Sequence, residues 1–493
     1  MKCFISFIVF FLTFFKVNAQ EAEDIFPEEI RYSVGATINS SSNGQVPFWL
    51  RTNKFGAIPL DGFSGTLRGT VHKDYDLQKK IDWGIGVDVM SNYGNTLNLQ
   101  VIEAFLKVKK GAFQIKAGRS KDFIGLADPF LSSGSFSISG NALGIPKIEI
   151  SLPQYTYLPF TKGNVAVKGN FSFGFIGEEP LSQRSNQIYY VLNSSASTNF
   201  HQKSFYLQIG KPESKLKLSG GFDHNVTWGD ENNFFRDWNL SGFKTTVKAI
   251  TGGVHKMSKV GNHIGSIDQK IEYDFPLVKL SGYHQFFYDV GGLAHFNNIK
   301  DGLWGVVLEN KISVKNSAFK WNKFLFEVFL SKSQGGELDA KLTPSGDEDY
   351  YNNYLYLNGW KYKNENVGNN FITNNKYVRK ELPILERESH SNNRLYLMHF
   401  GGDVSLHGVQ IVGKISFSRN FGTYATSPIG NTTGGVREIN PPPYFTPVNQ
   451  TSVYLELSKN IKNGLQLGFA IAADQGDLLY NAHGASLSLK KKW

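Results

Sequence analysis

Apolar and polar positions alternate with a period of two through most of the chain. In IDWGIGVDV (81–89), Ile81, Trp83, Ile85, Val87 and Val89 share one face, and Asp82, Gly84, Gly86 and Asp88 the other. NFSFGFIG sets Phe171, Phe173 and Phe175 against Asn170, Ser172 and Gly174. Leu216 and Leu218 oppose Lys215 and Lys217. Phe324, Phe326, Val328 and Leu330 line one side of FLFEVFLSKS. The pattern returns at Val453, Leu455 and Leu457, and again at Leu465, Leu467, Phe469 and Ile471. A parallel α/β protein would place a helical stretch of about 10–15 residues between such strands. No such rhythm is visible, so the pattern predicts an all-β protein.

A soluble sandwich or propeller also buries one face of each strand. Four features favour a closed antiparallel barrel in a membrane. Aromatic residues make up 14% of the chain, and many stand near strand ends, where barrels carry interfacial girdles. The opposite face is rich in Gly, Ser, Asn and charge, as a wet lumen requires. GASLSL runs up to a final aromatic, Trp493, although Lys490–Lys492 intrude. Lipid requires every backbone group to be paired, so an all-β spanning sheet must close. At about 10 residues per strand plus turns, the chain accommodates roughly 16 to 20 strands.

The fourth feature is the start of the chain. MKCFISFIVFFLTFFKVNAQ has an early Lys2, an apolar run from Phe4 to Phe15, and small residues before Gln20. This predicts a secretory signal over 1–19, since the run is shorter than the ~20 residues of a spanning helix. A lead-in is expected over 20–47 and the barrel over 48–493. Two stretches do not read as strands: 339–394, dense in Asn, Tyr and charge, and 420–450, with Pro441–Pro443. Both are expected to be long extracellular loops. The expected location is the cell outer membrane.

The formal charge is +10, which favours lipid headgroups or acidic polysaccharide over neutral partners. Export removes nucleic acid from the expected partners. Cys3 is the one cysteine and lies in the signal, so neither a disulfide nor a cysteine-based metal site is expected. The eleven histidines form no H-E-x-x-H motif. GVQIVGK (408–414) imitates a phosphate loop, but Ile415 stands where Ser or Thr would hold magnesium. Paired acids such as Asp74/Asp76 and Glu178/Glu179 read as solvated neighbours, not as a glycosidase pair. No cofactor and no metal are expected.

Several blocks, in order, resemble the Wzi family of capsule assembly proteins. They are PFWLRTNKFG (47–56), AGRSKDFIGLADPFLSSGSFSISGNALGIPKIEI (117–150), KSFYLQIGK with FDHNVTWGD (203–230), NNIKDGLWGVVLE (297–309) and YYNNYLYLNGW (350–360). Two departures stand out: Gly144 where the family block tends to have Pro, and Asp230 where it tends to have Gly. The resemblance implies an antiparallel outer-membrane barrel of eighteen strands, with minor helical structure near the periplasmic mouth. It implies a surface lectin that retains capsular or exopolysaccharide and performs no enzymatic step. Outer-membrane lipid or lipopolysaccharide, and the barrel assembly machinery during biogenesis, are the further expected partners.

Six residues are candidates for polysaccharide contact: Trp49, Arg51, Arg119, Asp122, His224 and Trp228. Aromatic faces stack on sugar rings, and Arg forks match carboxylates. The competing reading for Trp49 and Arg51 is packing on the inner wall. For Arg119 with Asp122 it is a turn salt bridge, and for His224 with Trp228 a strand-end aromatic. Two other classes remain open: a porin or substrate-specific channel, and a barrel-embedded envelope enzyme.

Overall fold

A computed structural model describes residues 30–493 apart from 77, 96, 186–187, 230, 232–238, 256–257, 290–295, 313–317, 336–347 and 434–435. The signal expected over 1–19 lies outside the described residues. Eighteen antiparallel strands form one closed sheet. They are β1 (Ile30–Ser41), β2 (Phe63–Lys73), β3 (Ile81–Tyr93), β4 (Leu97–Lys110), β5 (Phe113–Arg119) and β6 (Lys147–Tyr157). Then follow β7 (Val165–Ser185), β8 (Ile188–Ile209), β9 (Leu216–Trp228), β10 (Asn262–Asp274), β11 (Val278–Tyr288) and β12 (Gly302–Asn310). The last six are β13 (Phe319–Leu330), β14 (Leu395–Leu406), β15 (Val409–Asn420), β16 (Val448–Asn460), β17 (Leu465–Gly476) and β18 (Ala482–Lys492). Each strand pairs with its neighbours in sequence, and β1 pairs with β18, as in Ala36↔Leu489. Trp493 finishes the seam: its N–H donates to Tyr32 O, and the two rings stack at 5.1 Å.

The first strand corrects the expected lead-in. Residues 30–41, read as part of a segment preceding the barrel, are β1 itself. Ile30, Tyr32, Val34, Ala36 and Ile38 alternate there with Ser33, Gly35, Thr37 and Asn39, so the period-two signal is present in the segment.

The faces are inverted relative to a soluble protein. Phe173 is 42% exposed while its neighbour Ser172 is fully buried. Trp83, Leu216, Phe324, Leu455 and Phe469 are likewise exposed, and Asp82, Asp88, Ser219, Asp268 and Glu327 are buried. The apolar face therefore points outward into lipid and the polar face into the lumen. A bulge at β4 shifts the alternation, so that Ile102 and Glu103 are both buried. Among the described residues, no helix is long and apolar enough to cross a membrane.

The two ends differ in their connections. One end carries short links, such as 111–112, 275–277, 407–408 and 461–464. The phosphate-loop look-alike falls here: His407 and Gly408, both at positive φ, turn the hairpin from β14 into β15. The other end carries 42–62, 120–146, 229–261, 331–394 and 421–447. Barrels of this class keep short turns on the periplasmic side, so the long-loop end is extracellular. Among the described residues, two α-helices, α1 (Phe48–Arg51) and α2 (Gly242–Thr251), belong to connections of the long-loop end. At the short-turn end, where the resemblance implies helical structure, the described residues form one 3-10 turn, Pro159–Thr161.

Candidate functional site

Three connections of the long-loop end supply the centre of a plug inside the lumen, and Phe445 of 421–447 with Leu478 and Leu479 of 477–481 join its core. The first carries α1. Pro47 fixes the entry, and the Phe48 N–H, unpaired within a single turn, donates to Asp474 Oδ2 of β17 at 2.7 Å. Phe48, Trp49 and Leu50 are buried. The Trp49 ring lies 5.0 Å from His399 and 6.0 Å from Phe371, and its Nε1–H donates to Ser416 Oγ. The mixed character of this stretch follows from its place. Apolar rings enter the core, while the Asn53 N–H donates to Asn141 Oδ1 and Lys54 reaches Tyr454.

The second connection, 120–146, is the centre of the plug. Ser132 to Asn141 are all buried. An irregular segment cannot pair its own amides, and a buried unpaired N–H is costly. Polar wall side chains supply the partners. Leu126 N donates to Asp268, Ser133 N to Glu327, Phe136 N to Gln285, and Ser137 Oγ to Asp223. Phe136 stacks on Phe287 at 4.1 Å. Gly144 is required here: a Cβ would lie 1.9 Å from Ser120 O.

The third, 331–394, caps the plug. Tyr350 and Tyr351 are fully buried; the Tyr350 OH donates to Asp301, and the Tyr351 OH to Phe136 O. Trp360 Nε1 donates to Ser137 O at 2.7 Å. Arg379 holds the far edge through Leu479 O and Gly476 O. One buried core thus runs from wall residues Phe200, Phe287, Phe329 and Leu397 through Trp49, Phe136 and Tyr351 to Phe371. A cavity of about 20 Å³ between Asp122, Lys147, Phe200 and Val367 has room for about one water.

The six candidate residues occupy three separate places. Trp49 and Arg51 lie in the plug; the Arg51 guanidinium sits 3.4 Å from the Tyr377 ring centroid. Arg119 and Asp122 do not pair with each other. Arg119 donates to Val101 O and Tyr362 Oη, whereas Asp122 pairs with Lys147 at 2.5 Å and Lys116 at 3.6 Å. Burial alone would raise the Asp122 carboxyl, but the two ammonium groups outweigh it and hold it below its ordinary value. The expected turn salt bridge is absent because Arg119 ends β5 while Asp122 already lies inside the lumen.

His224 and Trp228 lie on the outer wall. Their neighbours Asp223 and Asn225 point into the lumen, so these two point away from it. His224 meets His263 at 2.9 Å. Trp228 packs with Val226, Leu240, Ala249 and Val260 under α2. Lys203 donates to Ile250 O near the C-terminal end of α2, where a cation is favoured.

Sequence reasoning did not single out Asp268, Gln285 and Glu327, the wall residues that hold the plug backbone. The one signal was their place on the polar face of their strands, which they share with many other residues.

No protein-family model matches the chain, and no curated relative does. Among solved structures it is similar to Wzi of Escherichia coli, described as a carbohydrate-binding β-barrel involved in group 1 capsule assembly. The TM-score is 0.55 at 12% identity, over 96% of this chain and 86% of that one. It also matches OccAB2 of Acinetobacter baumannii, with a TM-score of 0.45 and 10% identity, over 94% of this chain and 97% of that one. For OprD of Pseudomonas aeruginosa the values are 0.42 and 8%, over 94% and 92%. The chain has the fold of a large outer-membrane β-barrel. At these identities the likeness is one of fold, and it does not by itself place the chain in the capsule-assembly family.

Proposed function

We propose that the chain is a non-catalytic outer-membrane barrel that holds capsular or exopolysaccharide at the cell surface, in the manner of the Wzi family. The filled lumen carries this reading. Three in-folded connections share one core with the wall, and wall carboxylates hold the plug by its backbone. A barrel filled at its extracellular end offers a surface more readily than a passage. The fold likeness to a carbohydrate-binding barrel supports the same reading. The reading requires no cofactor; lipid around the apolar belt and the assembly machinery are its other partners.

A substrate-specific channel is the second reading. The charged lining of the short-turn half favours it, as at Glu272, which pairs with Lys270 and Lys279. The deciding experiment is the ratio of cell-bound to released polysaccharide with the gene deleted and then restored. Anchoring predicts unchanged synthesis and a shift into the medium on deletion. An unchanged ratio, together with stable conductance in a planar bilayer, would favour the channel.

A further inference from the structure

Helix α2 lies on the outside of the barrel. Val226 and Trp228 point away from the lumen, yet both are buried, because α2 and its flanks cover them. Thr245 and Ala249 are the buried residues of the helix and face that wall. At about 100° per residue, Val247 falls opposite them, with Phe243 and Ile250 on one side of it and Lys244 and Lys248 on the other. The far flank is exposed: Phe243 shows 80% of its surface, and Val247 and Val254 are exposed as well. Ser241 caps the helix by accepting from the Lys244 N–H, and Gly252 ends it in the left-handed region, so this flank is carried on an ordered element.

The strands beneath fix the depth of the helix. A tilted strand crosses the hydrocarbon in about 9–11 residues. Counted from Leu216, the first outward residue of β9, the crossing ends near His224 and Val226. Phe205, Phe222 and Ile267 form one exposed outward row across β8, β9 and β10. Lys203 and His224 form the next outward row towards the extracellular end, about 7 Å further along the strands. Lys203 Nζ donates to Ile250 O, which pins the C-terminal end of α2 at this row. The exposed flank of α2 therefore continues the lipid-facing belt at its extracellular edge.

We propose that α2 is an interfacial helix seated in the outer leaflet, with Phe243 and Val247 among the acyl chains and Lys244 at the phosphate headgroups. The occupant of the exposed flank is the lipid surface itself. That flank continues the belt, and it sets an apolar side beside a basic side, as a helix lying in the plane of the interface requires. Lys203, His224 and His263 all stand on the outer wall at this level, where contact with hydrocarbon would cost desolvation. A helix laid over them keeps that cost away and fixes how deep this side of the barrel sits. Such a seat serves an anchoring barrel and a channel alike.

The test uses the full chain folded into vesicles of phosphatidylcholine and phosphatidylglycerol. Cys3 is the one cysteine, so with C3S in place F243C, V247C and K244C each offer a single thiol for a nitroxide label. F469C supplies a lipid-facing reference, and K462C, in the 461–464 turn, a water reference. Accessibility to oxygen, which concentrates among acyl chains, is compared with accessibility to a water-soluble nickel chelate. Labels at 243 and 247 are expected to favour oxygen, as at 469, and the label at 244 to favour nickel, as at 462. All three side chains are exposed, so substitution leaves the fold intact, and heat-modifiable migration checks this for each variant. Labels at 243 and 247 that favour nickel would put the helix in water and overturn the seat. Exclusion of both reagents there would mean that a second copy or another protein covers the flank, and would overturn it equally. A label at 244 that favours oxygen overturns the headgroup contact.

Discussion

The backbone N–H of Ser133 donates to Glu327 Oε2 at 2.6 Å, tying the centre of the plug to the wall across 194 residues of chain. Glu327 also accepts from the Tyr283 OH, so one buried carboxylate satisfies two donors. Replacing it with Ala leaves both donors unpaired, at about 1–3 kcal/mol each. Glu327→Ala is expected to lower the thermal unfolding midpoint and to introduce flickering conductance in planar bilayers. A variant as stable and as silent as the wild type would show that the plug does not depend on this anchor.

Trp49 is 2% exposed and sits among Phe48, Phe371 and His399. Truncation of such a ring costs about 3–5 kcal/mol. Trp49→Ala is expected to destabilise the barrel by that order, and Trp49→Phe by much less, losing mainly the bond to Ser416. Polysaccharide retention should survive Trp49→Phe. Loss of retention at unchanged unfolding midpoint would make Trp49 a direct glycan contact.

Phe469 points outward near the middle of β17, opposite Leu457 and Leu487 of the flanking strands. A lysine on the lipid face near the bilayer midplane costs about 2–4 kcal/mol. Phe469→Lys should reduce folding into lipid vesicles by that order, read from denaturant midpoints. No shift would place Phe469 away from the hydrocarbon.

Asp301 ends the connection before β12 and is almost fully buried. It accepts from Ser333 N, Gln334 N and the Tyr350 OH, yet burial dominates and pushes its carboxyl up to about 6. A carboxyl raised above its unfolded value of about 3.9 lends stability that is fully present below that value. That contribution is lost as pH rises through about 6, and it is on the order of 2–3 kcal/mol. Asp122 and Asp128 are held low and act in the opposite sense, losing their contribution only as pH falls below the ordinary carboxylate value. Hydrogen exchange of the cap is therefore expected to quicken between pH 4 and 6, beyond the intrinsic pH dependence, and Asp301→Asn should flatten that change. An identical profile in the variant would assign the response elsewhere.

The barrel was legible because its pattern is local. Alternation fixes which side chains share a face, whatever the strand pairs with, so Phe171, Leu216, Phe324 and Phe469 are each assigned to the apolar face of their strand by local pattern. The first strand, with Ile30, Tyr32, Val34, Ala36 and Ile38 on one face, carries the same pattern and lies before the PFWLRTNKFG block at which the barrel was expected to begin; its pairing with β2 and β18 closes the wall. The Arg119–Asp122 reading failed because nearness along the chain says nothing about which side of a strand end each residue leaves from.

By itself, then, the sequence determined the class of fold, the orientation of its faces and the approximate number of strands, all consequences of a two-residue period. Tertiary structure alone decided which long connections enter the lumen. It decided that Trp49 packs instead of facing water, and that Arg51 meets Tyr377 across more than three hundred residues of chain. Those contacts exist only once β1 has closed on β18, because closure brings the two ends of the chain to adjacent staves of one wall.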